Sequence, residues 1–410
     1  PAIAEQKMRV AIERVQDPKL IPQDRKWTVD IYKALADEYR EVNQWRNAIE
    51  ISELILKKWP MHRDAPVIQN QVAEIHDELM RLARDGSEER EYHAARALEA
   101  RTRLAAYVGN TPWVEANRDD PEAIQTAERL VKTGLRRAAA DHTNIARAYV
   151  QKAQESRDPG EQRLWLERAL AEYRLADVGW TGYLNQDPNA SDAYESKFWI
   201  ADARRGALVV AVALGQTPTQ QEIDAAWRAA VDVRDSNEDD RFLQPAAYYV
   251  VDIAEQALQS QYALYERSNG TQGIAPRTEV RFEMGPDGKE RPVKEPLPPA
   301  VAMAIQARDE YVRHVPASMD ATGAIPLYQY QAADFFFLYG QWEDAKARLE
   351  PMWKEHCGQD EWGYKAWERL ITMAARSYDV EASRELARAE EERSCAVTDA
   401  QRQAAGALTK

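Results

Sequence analysis

Residues 29–62 read VDIYKALADEYREVNQWRNAIEISELILKKWPMH. Ile31, Tyr32, Leu35, Ala36 and Tyr39 form an apolar stripe at helical spacing. Val42-Asn43-Gln44 supplies a turn. A second stripe follows, of Trp45, Ala48, Ile49, Ser52, Leu54 and Ile55, and Pro60, which has no amide hydrogen, stops it. The pair of helices has one wet and one apolar face and cannot bury the apolar face alone. It needs a further pair beside it, which predicts a stack of helix pairs.

The remaining composition agrees. The chain has 410 residues but only 17 glycines, and strong helix formers (Ala, Leu, Glu, Arg, Gln) dominate it. An all-α chain follows. The net charge of -14 argues against nucleic acid and anionic membrane surfaces as main partners. No apolar run approaches the roughly 18 residues that span a bilayer; the longest, Ala207 to Leu214, reads as a buried helix segment. Because the chain starts at Pro1, with neither initiator Met nor signal peptide, it reads as a mature form or a fragment.

Along the chain, a first helix is expected over Ala4 to Val15, with turns through Asp17-Pro18 and Pro22-Gln23-Asp24. A pair follows at 65–83 and 88–108 around Asp85-Gly86-Ser87, then the loop Gly109 to Trp113. A long pattern over 121–155 carries Gly134 and reads as one bent helix or two abutting ones. After a turn at Asp158-Pro159-Gly160 comes a helix to Ala176 and a loop from Gly179 to Pro188. Pairs or single helices follow at 192–214, 219–233 and 245–267. Residues 268–299 differ, being rich in Pro and Gly. The flanks of Pro286-Asp287-Gly288-Lys289 there read as a small β-hairpin or a projecting loop. Helices resume at 299–314, 328–339, 343–354, 362–376 and 380–392. The expected organisation is thus a helical array over 1–267, an insertion over 268–299, a second array over 300–397 and a polar tail over 398–410.

Few residues suggest chemistry. There is no GxxxxGK[ST], no GxGxxG and no HExxH. His62, His76, His93, His142, His314 and His356 do not pair at i, i+4, and each reads as a surface or edge residue rather than a ligand. The acidic pairs read as helix starts or solvated faces. No catalytic residue, metal site or cofactor is expected. Cys357 and Cys395 lie about one repeat apart. In an oxidising compartment they could bridge adjacent units, contributing roughly 3–4 kcal/mol; otherwise they are two inert thiols. Among the aromatics, Trp113, Trp180 and Tyr183 fall in expected loops, where they either bind a partner or pin their loops to the array. Tyr328, Tyr330, Phe335, Phe336 and Phe337 are dense enough for a core or an inner groove wall.

Counted from Val29, Tyr32 is fourth, Leu35 seventh, Ala36 eighth, Tyr39 eleventh, Trp45 seventeenth, Ala48 twentieth and Pro60 thirty-second. This spacing resembles a tetratricopeptide repeat. Ala36 stands where the family usually has glycine, and Ser52 where it has phenylalanine. Gly340, Trp342 and Ala345 repeat the pattern counted from Pro326. The resemblance implies a right-handed superhelical solenoid of antiparallel helix pairs. The phrases Trp59 to Pro66 and Tyr107 to Trp113 resemble periplasmic tetratricopeptide proteins of the myxobacterial adventurous gliding machinery. That likeness implies a non-enzymatic scaffold holding other proteins of a cell-envelope complex, in the periplasm rather than the cytoplasm. The competing expectation is a receptor or adaptor for cell-wall glycan or a small ligand, built on Trp113, Trp180 and inner-face aromatics.

Overall fold

A computed structural model describes residues 10–22, 25, 27–84, 87–393, 395–396 and 398–408. Of the expected first helix, 10–16 is helical, while residues 4–9 lie outside the described residues. So do Gln23 and Asp24 of the second turn and Asp85 and Gly86 of the 85–87 turn. The helices are α1 (Thr28–Glu41), α2 (Trp45–Lys58), α3 (Ala65–Leu82), α4 (Glu88–Arg103), α5 (Pro112–Ala116), α6 (Pro121–Glu155), α7 (Pro159–Gln186), α8 (Ala193–Ala213), α9 (Gln220–Arg234) and α10 (Leu243–Arg267). After a short hairpin, β1 (Phe282–Met284) and β2 (Glu290–Pro292), come α11 (Pro299–His314), α12 (Ala324–Leu338), α13 (Trp342–His356), α14 (Glu361–Arg376), α15 (Val380–Arg393) and α16 (Asp399–Leu408). The described residues are all-α apart from this hairpin, and no described helix is long and apolar enough to cross a membrane.

Two compact units form, one from residues 1–145 with 175–190, the other from 146–174 with 191–410. In the first, α1 to α4 pack each on the next. Tyr32, Ala36 and Tyr39 of α1 meet Ala48, Ile51 and Ile55 of α2 in one core. The second stripe thus centres on Ile51, fully buried, rather than on half-buried Ile49 and Leu54. Small Ala36 and Ala48 are buried in that core, as the repeat pattern requires. The turn between them closes with Asn43 at φ 57° and Gln44 N–H donating to Tyr39 O at 2.7 Å, a left-handed helix stop.

Here one open alternative is decided and two expectations are corrected. The 121–155 pattern is one continuous helix, since Gly134 sits where an added Cβ would lie 2.7 Å from Leu104 Cδ1; the glycine admits a neighbour rather than breaking the helix. The expected loop from Gly179 is the C-terminal part of α7. Gly179 lies against Ala139, whose Cβ would be 2.9 Å from an added side chain, so it marks a close helix crossing. His76, His93 and His142 are buried rather than at the surface.

The second unit is a solenoid. From α8 to α15, broken only by the hairpin insertion, each helix packs on its sequence neighbour, and α8 also touches α10 as α12 touches α14. Alternate helices therefore form a layer of their own. The hairpin pairs Phe282 with Pro292, Glu283 with Arg291 and Met284 with Glu290. It is strapped down. Phe282 packs edge-on to Trp342 at 6.0 Å, Glu295 N–H donates to Tyr339 O at 3.0 Å and Gln341 Nε2 donates to Glu295 O at 2.8 Å. Gly340, at φ 66°, faces this strap.

At the C-terminal end, Cys357 and Cys395 are disulfide-bonded. Trp353 Nε1 donates to Cys395 Sγ at 3.1 Å. Burial raises the Glu390 pKa while its carboxylate accepts the Cys395 and Ala396 amides at 3.1 and 2.9 Å. The expected polar tail is instead α16, and its Ala405 is buried in the core of α12 to α15. A single small apolar face at Ala405 was too short a signal among polar neighbours to stand out in the sequence.

Candidate functional site

A concave site in the second unit lies between α10 and α12, with α11 reaching in from behind. It is a cavity of about 380 Å³ lined by Tyr248, Asp252 and Glu255 of α10, Arg308 of α11, and Tyr328, Gln331, Asp334 and Phe335 of α12 among others. Its size falls in the range of ligand clefts.

Arg308 organises it. The side chain is buried, and its guanidinium donates to Glu255 at 2.8 Å, to Gln331 Oε1 at 2.9 Å and to Ala304 O at 3.0 Å. It also lies 5.6 Å from the Phe335 ring centroid and 5.9 Å from that of Tyr328. Burial works against ionisation of Glu255, but hydrogen bonds from Gln259 and Arg308 outweigh it and hold the pKa below the usual value. Burial pushes the Tyr328 hydroxyl up to about 12, so it stays protonated and can donate.

The same device recurs along the layer of alternate helices. Arg147 donates to Asp202 at 2.7 Å and stands over Trp199 at 5.1 Å. Arg205 pairs with Asp252 and stands over Tyr249 at 4.8 Å. Arg369 donates to Asp334 at 2.8 Å and stands over Phe337 at 4.6 Å. Each carboxylate–arginine pair bridges two helices, and each arginine lies over an aromatic ring, where cation and quadrupole attract. A buried charge is tolerated only when so partnered. The layer is therefore polar and pre-organised, unlike the alanine-rich seams that hold the helices together.

The aromatics singled out in the sequence fare differently. Trp113 is in α5, 1% exposed, and its Nε1 donates to His62 O at 2.8 Å. Trp180 and Tyr183 are within α7, each 4% exposed. Trp180 Nε1 donates to Thr143 Oγ1 at 3.3 Å, and Lys132 stands over the Tyr183 ring at 5.9 Å. As partner-binding residues these three are corrected: their rings are spent on fastening segments to the first unit and offer no open face. Tyr328 does line the cavity. Tyr330 points elsewhere on α12, packing on Trp362 at 5.6 Å.

The residues missed were Tyr248, Asp252, Glu255, Arg308, Gln331 and Asp334. A signal existed. Tyr248, Asp252 and Glu255 are spaced i, i+4, i+7, and Tyr328, Gln331 and Phe335 i, i+3, i+7, so each trio shares one helix face. Aromatics alternating with charge on such a face differ from both a core stripe and a purely solvated one.

Among known proteins, no family model and no curated protein matches this chain. Among solved structures, the chain is similar to "Crystal Structure of the Yeast Tom70", with 10% identity over 99% of this chain and 93% of that one. The TM-score is 0.21, so the match adds nothing to what the helices themselves show.

Proposed function

We propose that the chain is a non-enzymatic scaffold that holds a segment of a partner protein in the α10–α12 cleft. The observation that carries this reading is the cleft itself, where Tyr248 (40% exposed), Tyr328 and Phe335 offer apolar contact beside fixed hydrogen-bonding groups. Rigid aromatics flanked by pre-organised polar groups are the usual make-up of a binding hot spot. A photo-crosslinking residue at Tyr248 in the full chain, expressed in its source cells, tests it. The expected result is a discrete protein adduct, absent when the same group replaces exposed Val178. Equal or no adducts at both positions overturn it.

The finer reading is a place in a periplasmic, cell-envelope complex such as a gliding machinery. It rests on the phrases at 59–66 and 107–113, with support from the Cys357–Cys395 bond, since such bonds persist in oxidising compartments. Osmotic-shock fractionation followed by thiol alkylation checks the compartment. Recovery only with the cytoplasm, with both cysteines alkylated, overturns it. The glycan-receptor alternative loses its main platform with the burial of Trp113 and Trp180.

A further inference from the structure

The first unit holds a feature the scaffold reading does not use. His76 of α3 and His93 of α4 face each other, Nδ1 to Nδ1, at 3.0 Å. The two residues are only 3% and 5% exposed. They nevertheless line a cavity of about 340 Å³, together with Arg46, Ile49, Glu89 and Tyr92. Two histidine rings turned nitrogen to nitrogen can share only one proton between those atoms: one donates and the other accepts. Placing that contact at the wall of a cavity leaves it open to exchange the proton for another electrophile.

We propose that His76 Nδ1 and His93 Nδ1 form a divalent transition-metal site. The distance sets the geometry. With metal–nitrogen bonds of about 2.05 Å, two nitrogens kept 3.0 Å apart subtend about 94° at the metal once each ring turns its Nδ1 lone pair from the other ring toward the ion. That is a cis pair in a square-planar or octahedral set, as Cu2+ and Ni2+ prefer, and narrower than the tetrahedral angle of zinc. The remaining positions fall to water in the cavity. Glu89 stands one turn before His93 on α4 and lines the same cavity. Its carboxylate now contacts exposed Arg46 at 3.4 Å, a weak surface pair, so it is free to swing toward a cation and offset its charge. Arg96 is held by Glu53 and Glu99 at 3.2 and 2.5 Å, which offsets the positive charge nearest His76. On metal entry, the proton between the two Nδ1 atoms moves to Nε2 of the ring that carried it. Both rings stay neutral, both Nδ1 lone pairs go to the metal, and no net proton is released.

The test titrates the full chain, first stripped with a chelator, with CuCl2 and separately NiCl2, following calorimetry, visible absorption and, for Cu2+, electron paramagnetic resonance. Three histidines elsewhere, His62, His314 and His356, are replaced by Gln in a background variant. The expected result is one bound ion in that background, with a nitrogen hyperfine pattern from two imidazoles. H76Q/H93Q in the same background should weaken binding by about tenfold or more. Unchanged affinity in H76Q/H93Q, a pattern without two imidazole nitrogens, or no binding overturns the site. Should H76Q/H93Q fail to fold, the resonance pattern of the background variant decides alone.

Discussion

Replacing Gly340 with Ala tests how the hairpin insertion is held. Gly340 ends α12 in the left-handed region at φ 66°, and an added Cβ would fall 2.3 Å from Val293 O and 2.8 Å from Val293 C. Two costs separate. The left-handed backbone costs a residue with a Cβ about 1–2 kcal/mol. The clash must be relieved by moving the 293–295 segment outward, which breaks the Glu295–Tyr339 and Gln341–Glu295 hydrogen bonds, each worth about 1 kcal/mol. The sum is about 3–4 kcal/mol of local stability. Gly288 is the control. It has φ 74° with nothing near an added Cβ, so G288A carries only the first cost. Hydrogen exchange by mass spectrometry reads local opening directly. At about 1.4 kcal/mol per tenfold, amides over 293–295 should lose protection about 100-fold or more in G340A and about tenfold in G288A. Protease cleavage within 268–299 should rise in the same order. Similar losses in the two variants would refute the reasoning, because Gly340 would then serve the turn alone and not the strap.

Other outcomes follow from single contacts. C395S opens a cross-link between residues 38 apart and should lower the stability of the α14–α16 region by about 4 kcal/mol, read as faster exchange in α15 and α16 and matched by reduced wild type. R308M leaves Glu255, whose side chain is about a third exposed, without its main counter-charge and should cost about 2 kcal/mol, with fluorescence-monitored urea unfolding as the assay; a loss under about 0.5 kcal/mol would show that Arg308 is not the organiser of the cleft. Glu222 caps α9, where the Thr219 amide, then its hydroxyl and Arg174, outweigh burial and hold its carboxyl below the ordinary value. A depressed carboxyl stabilises the fold above its unfolded pKa and loses that contribution as pH falls through the folded one. Protection of the amides at the N-terminus of α9, relative to their intrinsic exchange rate, should therefore fall below about pH 4.5, and E222Q should remove that pH dependence.

Much of the fold was legible because helical periodicity is local. Tyr32, Ala36 and Tyr39, Asn43 at the turn and Pro60 at the stop read correctly from spacing, and the Gly340–Trp342–Ala345 motif from its resemblance to the repeat. Pro286-Asp287-Gly288 left a hairpin or a projecting loop open, and the structure has the hairpin, with positive φ at Gly288. The errors share one origin. Gly179 and Gly134 carry the composition of a break, yet both make room for a neighbouring helix, and only the neighbour distinguishes the two uses. Trp113 and Trp180 look available beside loop-like residues until the backbone carbonyl of His62 and the hydroxyl of Thr143 are seen to accept their N–H groups.

The sequence by itself determined the helix pairs, their turns and the residue types that seal them, because each depends on contacts within a few residues along the chain. The tertiary structure alone decided which polar residues meet. Arg308 and Glu255 are 53 positions apart, Arg369 and Asp334 are 35 apart, and His76 and His93 are 17 apart. Periodicity can put each of these on a face. Which face then meets which is set by helix crossings, and those depend on small residues such as Gly179 and Ala139 whose partners no local pattern names.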